Sequence, residues 1–191
     1  GIFRFSILTE QIISLTFIIL SAFLTGLAQH PIHLGWLSWF SLIPFIFVLN
    51  QLESPIDFIK VGFIWGVVYN LTVIFWLAMN IGTTPLVGMI SMLLAVLYCS
   101  LNTIAISLIM ALIKLRYSKS WFWLFPFVWT SIEYIRNMDM LTGGPWTALA
   151  NTQSDFLILA QNCEVTGIYG ISFWIILLNV SIFNWIDRPY P

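Results

Sequence analysis

Residues 86–113 read LVGMISMLLAVLYCSLNTIAISLIMALI, a run of 28 residues without a charged side chain. An α-helix rises about 1.5 Å per residue, so about 20 apolar residues cross the hydrocarbon core of a bilayer. The run is longer than that and contains no proline that would end a helix. It therefore predicts a membrane-spanning helix over residues 86–115.

The composition of the whole chain agrees with this interpretation. Of 191 residues, 60% are hydrophobic and 8% are charged, and the mean hydropathy is +0.95. A soluble domain carries about 25% charged residues because water must wet its surface. Lipid is therefore the expected solvent for much of this surface. The net charge of −1 argues against a nucleic-acid partner, which requires clustered cations to neutralise phosphates.

Apolar periodicity and length predict an all-α fold, a polytopic bundle of about six transmembrane helices. The predicted helices cover residues 12–28, 34–50, 58–80, 86–115, 121–135 and 168–186. Between the last two lies the longest polar stretch, residues 136–167, with a helix-breaking Gly-Gly-Pro-Trp sequence at 143–146. In the third helix, Gly62 and Gly66 form a GxxxG pair, which is typical of close helix packing.

Basic residues predict the orientation of the bundle in the membrane. With a cytoplasmic N-terminus, six of the seven basic residues fall on the cytoplasmic side of a six-helix chain. These six are Arg4, Lys60, Lys114, Arg116, Lys119 and Arg188. Only Arg136 falls outside, as the positive-inside rule requires. The stretch 136–167 is therefore predicted to be an extracytoplasmic loop.

Glu133 and Arg136 stand three residues apart at the end of the fifth predicted helix, on one helical face. Ionisable residues at such a depth are costly, and they usually pair with each other or serve a function. Two interpretations stay open: a structural ion pair that holds the long loop, and a functional site.

Other chemistry is not indicated by the residue pattern. His30 and His33 flank a proline in the first extracytoplasmic turn, but a metal site needs three or four ligands. Cys163 has no lysine or histidine near it in sequence that could activate it as a nucleophile. We therefore predict no metal and no cofactor for this chain.

The region between the fifth and sixth predicted helices resembles a known family. The matching series is Pro126-Phe-Val-Trp129, Glu133-Tyr-Ile-Arg136, Thr142-Gly-Gly-Pro-Trp146, Asn151-Thr-Gln153 and Gly167-Ile-Tyr-Gly-Ile-Ser-Phe173, followed by Asn179. It is similar to the P-x-x-W, E-[YFW]-x-R, G-x-P-W and G-x-[YW]-G-x-[ST]-F series of the membrane domain of apolipoprotein N-acyltransferases. Gln29-His30-Pro31 and the third predicted helix resemble earlier parts of the same domain.

The resemblance implies a multi-pass enzyme of the bacterial cytoplasmic membrane. Such enzymes transfer an acyl chain from a phospholipid to the α-amino group of the diacylglyceryl-cysteine of a lipoprotein, through an acylated cysteine. Phospholipids and diacylglyceryl-modified lipoproteins are thus the implied partners, and the protein is expected to be a monomer. The Glu-Lys-Cys triad of the family belongs to a nitrilase-like domain that follows the membrane helices. We expect this chain to end before that domain, to carry no catalytic residue and to be inactive alone.

What remains for this chain is the positioning of lipid substrates at the outer surface. The candidate residues are Glu133, Arg136, Pro145, Trp146 and Gln153. Arg136 would meet a lipid phosphate, and Trp146 would lie at the headgroup level or against an acyl chain. The alternatives are a polytopic transporter and a non-catalytic membrane module fused to another enzyme, such as a glycosyltransferase.

Overall fold

The computed structural model describes residues 7–29, 31–117, 120–138 and 145–187. These residues form seven α-helices connected by short 3₁₀ turns, and they contain no β-strand. The helices are α1 (Ile7–Leu27), α2 (Ile43–Gln51), α3 (Pro55–Ile74), α4 (Pro85–Arg116), α5 (Phe125–Asn137), α6 (Leu157–Ala160) and α7 (Cys163–Asp187). The 3₁₀ turns are Gly35–Trp39, Phe75–Met79, Trp121–Leu124, Pro145–Thr147 and Leu149–Gln153. The predicted all-α fold is confirmed.

Four helical stretches in the described part of the chain are long and apolar enough to cross a membrane. They cover Glu10–Leu27, Pro55–Met79, Pro85–Arg116 and Cys163–Asp187. The other two predicted spans are shorter: Gly35–Gln51 is interrupted, and α5 has 13 residues. The six hydrophobic segments are thus present, and two of them are not single long helices.

The second predicted helix is divided because its backbone finds partners elsewhere. Pro44 lies in the first turn of α2, where its missing N–H leaves no intrahelical bond unmade. Asn179 of α7 supplies hydrogen-bond partners for the backbone groups at this break. Its Oδ1 accepts from the Leu42 backbone N–H at 3.0 Å, and its Nδ2 donates to the Ser38 carbonyl at 2.8 Å. The side chain is fully buried, so the interrupted backbone needs no water.

The fifth and sixth predicted helices are shaped by a proline and a glycine. Pro126 lies in the first turn of α5, and the four residues before that helix form a 3₁₀ turn. Within α7, Gly167 has φ 65° and ψ −177°, a conformation that is essentially restricted to glycine. This kink separates a short N-terminal turn from the long helix, which starts where the prediction placed it, at residue 168.

Helix α4 is polar towards the protein and apolar towards the outside. Ser100, Thr103 and Ser107 follow helical spacing on one face and are buried. Leu94 and Leu101 are 63% and 56% exposed on the same helix. Such a distribution would be unfavourable in water, whereas in a bilayer exposed leucines meet lipid and small polar residues permit close helix packing.

The buried face of α4 packs against the two glycines of α3. A Cβ atom on Gly62 would lie 2.7 Å from the Thr103 carbonyl oxygen, and one on Gly66 would lie 3.1 Å from the Ser100 Cα. Both positions would also overlap side chains of α4. The GxxxG pair therefore brings two backbones together, as predicted, and α3 and α4 form the tightest helix pair in the bundle.

Aromatic rings fill the centre of the bundle. Trp65 is fully buried, stacks on Tyr69 with a centroid distance of 4.9 Å and meets Trp129 edge-on at 5.5 Å. Its indole Nε1 donates to the Ser21 hydroxyl at 3.0 Å, so the polar atom of this large side chain is paired. The rings connect α1, α3 and α5.

One end of the bundle is held by Lys114, and we call it the Lys114 end. The Lys114 ammonium donates to the carbonyls of Leu49, Asn50 and Leu52 at 3.2, 2.8 and 2.6 Å. The side chain thereby satisfies the C-terminal carbonyls of α2, which a helix cannot satisfy itself. Asn50 also donates to Asp187 at the end of α7, at 3.3 Å.

We expect Gly66→Ala to destabilise the protein although alanine favours helices. The new methyl group would overlap Thr103 and press on the α4 backbone, an overpacking that typically costs about 1–3 kcal/mol. The matched control is Gly82→Ala, because a Cβ at Gly82 would meet only the Asn80 Oδ1, at 3.3 Å. Thermal unfolding of the purified variants in detergent should show a lower midpoint for Gly66→Ala alone. An unchanged or higher midpoint for this variant would contradict the close packing.

Candidate functional site: a buried loop and its aromatic rim

The segment 147–153 runs through the protein at the end of the bundle opposite Lys114. It consists of the last residue of one 3₁₀ turn, the connecting Ala148 and all of the next turn. It is almost wholly buried, with Ala148 at 0%, Leu149 at 1% and Gln153 at 1% exposure. Non-helical backbone is tolerated at membrane depth only where the protein itself supplies hydrogen-bond partners. We call this segment the buried loop.

Glu133 supplies the central partner. Its Oε1 accepts from the Leu149 backbone N–H at 2.9 Å and from the Trp129 indole at 3.0 Å. The side chain is only 4% exposed. Hydrogen bonds to a charged acceptor are roughly twice as strong as neutral ones, so Glu133 connects α5 firmly to the buried loop.

Arg136, one helical turn later, binds the same loop. Its Nη1 donates to the Thr147 hydroxyl at 2.5 Å. Within the described residues, the Glu133 carboxylate and the Arg136 guanidinium form no direct ion pair. Each holds a different residue of the buried loop instead. The predicted ion pair is therefore not present as a direct contact, and the functional interpretation of the two residues stays a prediction.

Two residues that were not among the predicted site residues complete the anchoring, one just after the end of α1 and one on α3. Gln29 donates to the Ala148 carbonyl at 3.1 Å and to the Tyr69 hydroxyl at 2.9 Å. Tyr69 in turn donates to the Thr147 carbonyl at 3.0 Å. Only the quoted Gln-His-Pro motif at residues 29–31 contained a signal for Gln29, and no local pattern pointed to Tyr69.

The far side of the buried loop is bound by α7 and by the 3₁₀ turn Gly35–Trp39. The Ala150 N–H donates to the Ser172 hydroxyl at 3.0 Å. Gln153, a predicted positioning residue, donates to the Gly35 carbonyl at 3.0 Å and accepts from the Trp39 indole at 2.9 Å. A Cβ on Gly35 would overlap the Thr152 carbonyl, so only glycine permits this approach. Gln153 thus acts inside the protein, as a support of the loop.

Trp146 leads into the buried loop and lies at the surface. It is 69% exposed and meets Trp76, which is 49% exposed, edge-on at a centroid distance of 6.4 Å. Both rings line a surface cavity of about 330 Å³ together with Gln29, Asn151 and Ser154. We call this pair of indoles and the cavity beside it the aromatic rim. Pro145 is the first residue of the same 3₁₀ turn.

The positions around the aromatic rim offer little else that could carry chemistry. In the described ranges no three or more histidine, cysteine or acidic residues come together as a metal site would require. His33 Nδ1 lies 2.9 Å from Asp155 Oδ2. Cys99 and Cys163 are half-buried free thiols. His30, Gly143, Gly144 and the basic residues Arg4, Lys119 and Arg188 lie outside the described residues.

Comparison with known proteins identifies similar sequences along nearly the whole chain. The chain is 29% identical to the apolipoprotein N-acyltransferase of Geobacter metallireducens, over 91% of its own length and 35% of that relative. It is 26% identical to those of Chlorobaculum tepidum and Pasteurella multocida, over 86% and 87% of its length and 30% and 31% of theirs. The chain therefore spans about a third of the length of these curated relatives.

A family model gives the same result with defined boundaries. The model for the apolipoprotein N-acyltransferase N-terminal domain matches residues 21–181. This range contains the anchors Gln29, Tyr69, Glu133 and Ser172 as well as Trp76 and Trp146 of the aromatic rim. The chain belongs to the family of apolipoprotein N-acyltransferase N-terminal domains.

Proposed function

We propose that this chain is the membrane part of an apolipoprotein N-acyltransferase and that it positions lipid-borne substrates at the outer surface of the bacterial cytoplasmic membrane. The acyl donor is a phospholipid, and the acceptor is the α-amino group of a diacylglyceryl-cysteine. The covalent chemistry, through a cysteine with a glutamate base and a lysine, resides in the part of the relatives that this chain does not cover. In this proposal no residue of the present chain attacks the acyl group.

One observation carries the proposal: a deeply anchored loop presents an exposed tryptophan beside a second indole and a cavity. Trp146 directly precedes Thr147, which Arg136 and Tyr69 hold through its hydroxyl and its carbonyl. Indole rings favour the boundary between hydrocarbon and water, where the headgroups and ester bonds of lipids lie. A rigidly mounted pair of such rings therefore provides a fixed surface for a lipid at the required depth.

Positioning is a sufficient task for such a domain. Both substrates are anchored in the bilayer by their acyl chains, and their reacting groups lie near its surface. Fixing them relative to a catalytic group converts an encounter in two dimensions into an oriented approach, which lowers the entropic part of the barrier. The surface cavity of about 330 Å³ lies at the lower end of the usual range for small-molecule sites.

The proposed orientation places the aromatic rim outside and the Lys114 end in the cytoplasm. Among the described basic residues, Lys60, Lys114 and Arg116 lie near the start of α3 or the end of α4, at the Lys114 end. Arg136 lies at the opposite end, next to Thr147. This separation supports a cytoplasmic N-terminus under the positive-inside rule.

Trp146→Ala in the full-length enzyme is expected to lower kcat/KM for N-acylation about fivefold or more, the equivalent of roughly 1 kcal/mol of lost aromatic contact. Because Trp146 is exposed, the unfolding midpoint and the protein level should stay near wild type. The matched control is Trp185→Ala, which removes an indole of similar exposure, 73%. Trp185 lies near the C-terminal end of α7, away from the aromatic rim. Acylation of a lipoprotein substrate in proteoliposomes measures the effect. A wild-type rate for Trp146→Ala would remove the case for the aromatic rim.

Arg136→Ala should affect both stability and rate. It removes the hydrogen bond to Thr147 and leaves Glu133 buried without a neighbouring cation, so we expect about 1–3 kcal/mol of destabilisation. Thr147→Val is the companion variant, since it removes the same bond but keeps the shape of the side chain. Both variants should show reduced acylation at matched protein levels, with Arg136→Ala the more severe. Normal stability and normal rate in both would contradict the anchoring of the loop.

Cysteine accessibility tests the orientation. In a background with Cys99→Ala and Cys163→Ala, a membrane-impermeant maleimide should label Ser154→Cys in intact spheroplasts. Gln51→Cys, at the Lys114 end, should react only after the membrane is permeabilised. Both positions are exposed, so the difference in labelling reports the side of the membrane. The reverse pattern would place the aromatic rim in the cytoplasm and rule out the proposed function.

A further inference from the structure

A second, much smaller cavity lies between α3, α4, α5 and the buried loop. Its volume is about 20 Å³, which matches one or two water molecules, since about 10–15 Å³ measured in this way holds one. Most of the residues around it are polar or ionisable: Tyr69, Asn70, Cys99, Asn102, Thr103, Glu133, Arg136 and Thr147. A cavity with such a lining differs from the apolar voids that stay empty in protein interiors.

Two charged side chains of α5 that line this cavity have buried polar atoms without a hydrogen-bond partner among the described residues. Glu133 Oε2 is buried and has no hydrogen-bond partner among the described residues. The same holds for Nε and Nη2 of Arg136, whose Nη1 alone is bonded, to Thr147. Buried polar atoms are nearly always paired, because leaving them unpaired forfeits their hydration without compensation. One acceptor and two donors beside one cavity therefore require a common explanation.

The opposite charges of Glu133 and Arg136 restrict which ligand can occupy this cavity. A cation would be attracted by Glu133 but repelled by the Arg136 guanidinium, and an anion would meet the opposite conflict. A lipid chain is excluded by the volume. Water suits both groups, since one molecule can donate a hydrogen bond to a carboxylate oxygen and accept a hydrogen bond from a guanidinium N–H. Its neutrality leaves the balance of the two charges unchanged.

We propose that this cavity is a hydration site in which ordered water bridges Glu133 Oε2 to the guanidinium of Arg136. The two residues thus form a water-mediated ion pair, although they do not contact each other directly. A bridging water is enthalpically close to a direct hydrogen bond and accommodates groups that helix geometry keeps apart. The bridge completes the bonding of both anchors, while Glu133 Oε1 holds Leu149 and Arg136 Nη1 holds Thr147.

A map of the full-length enzyme at a resolution that shows buried water is the direct test. We expect a compact peak within about 2.6–3.2 Å of both Glu133 Oε2 and an Arg136 nitrogen. An empty cavity, a direct contact between Glu133 and Arg136, or density too long or too strong for water would each overturn the proposal. The test is independent of acyl transfer, since it would give the same answer if the lipid-positioning function were wrong.

Variants at Cys99 provide a second readout, because this half-buried side chain lines the cavity. Cys99→Ser keeps the space and the polarity, so the unfolding midpoint should stay near wild type. Cys99→Leu would fill the space, expel the water and strand both charged groups, so its midpoint should fall by about 2–4 °C or more. Cys163→Leu, at the other half-buried thiol, controls for added bulk and should have a smaller effect. Equal midpoints for the two Cys99 variants would contradict a hydrated site.

Discussion

The hydrogen bond from the Leu149 N–H to the Glu133 carboxylate is the contact on which the end of this protein opposite Lys114 depends. An α-helix satisfies its own backbone, but residues 147–153 do not form an α-helix. Backbone groups that the loop does not bond internally, such as the Leu149 and Ala150 N–H groups, need partners from another part of the chain, since water is not available in the hydrocarbon region of a membrane. Glu133 can serve as this partner because a carboxylate accepts several bonds at once, here from a backbone N–H and an indole.

The same bonds that fix the loop also fix the helices. In lipid, apolar side chains gain nothing by leaving the solvent, so helix association depends on close packing and on polar contacts. Tyr69, Glu133 and Ser172 bind the loop from α3, α5 and α7, and Gln29 binds it from the residues that follow α1. The loop thereby connects these parts of the bundle. At the other end Lys114 serves the same purpose for α2 and α4.

Hydropathy predicts the position of a helix where that position depends only on the local sequence. The fourth helix was predicted at residues 86–115 and spans Pro85–Arg116, because its length and apolarity are local properties. The interruption before α2 could not be predicted in the same way. Residues 34–50 are mostly apolar, and the break is bonded by Asn179, a side chain 137 positions further along than its partner Leu42.

The candidate site shows the same division between local and distant information. The spacing of Glu133 and Arg136 placed both on one face of α5, and the depth of this pair indicated that they needed partners. Their partners, Leu149 and Thr147, follow a segment whose path the sequence does not reveal. Gln153 belongs to a recognisable motif, yet only the fold brings it to Gly35 and Trp39. Motifs selected Glu133, Arg136 and Gln153 but not Tyr69, and long-range contacts decide which partners each of these residues has.

The placement of charge constrains how the aromatic rim can bind lipid. Arg136 is the basic residue nearest to the rim in the described structure, and its guanidinium is bonded to Thr147 and turned towards an internal cavity. The cavity beside Trp76 and Trp146 is lined by indole, amide, hydroxyl and aliphatic groups. Such groups recognise the depth and the neutral ester region of a lipid better than the charge of its headgroup. If the rim positions substrates as proposed, these groups give it little basis for discriminating between charged headgroups.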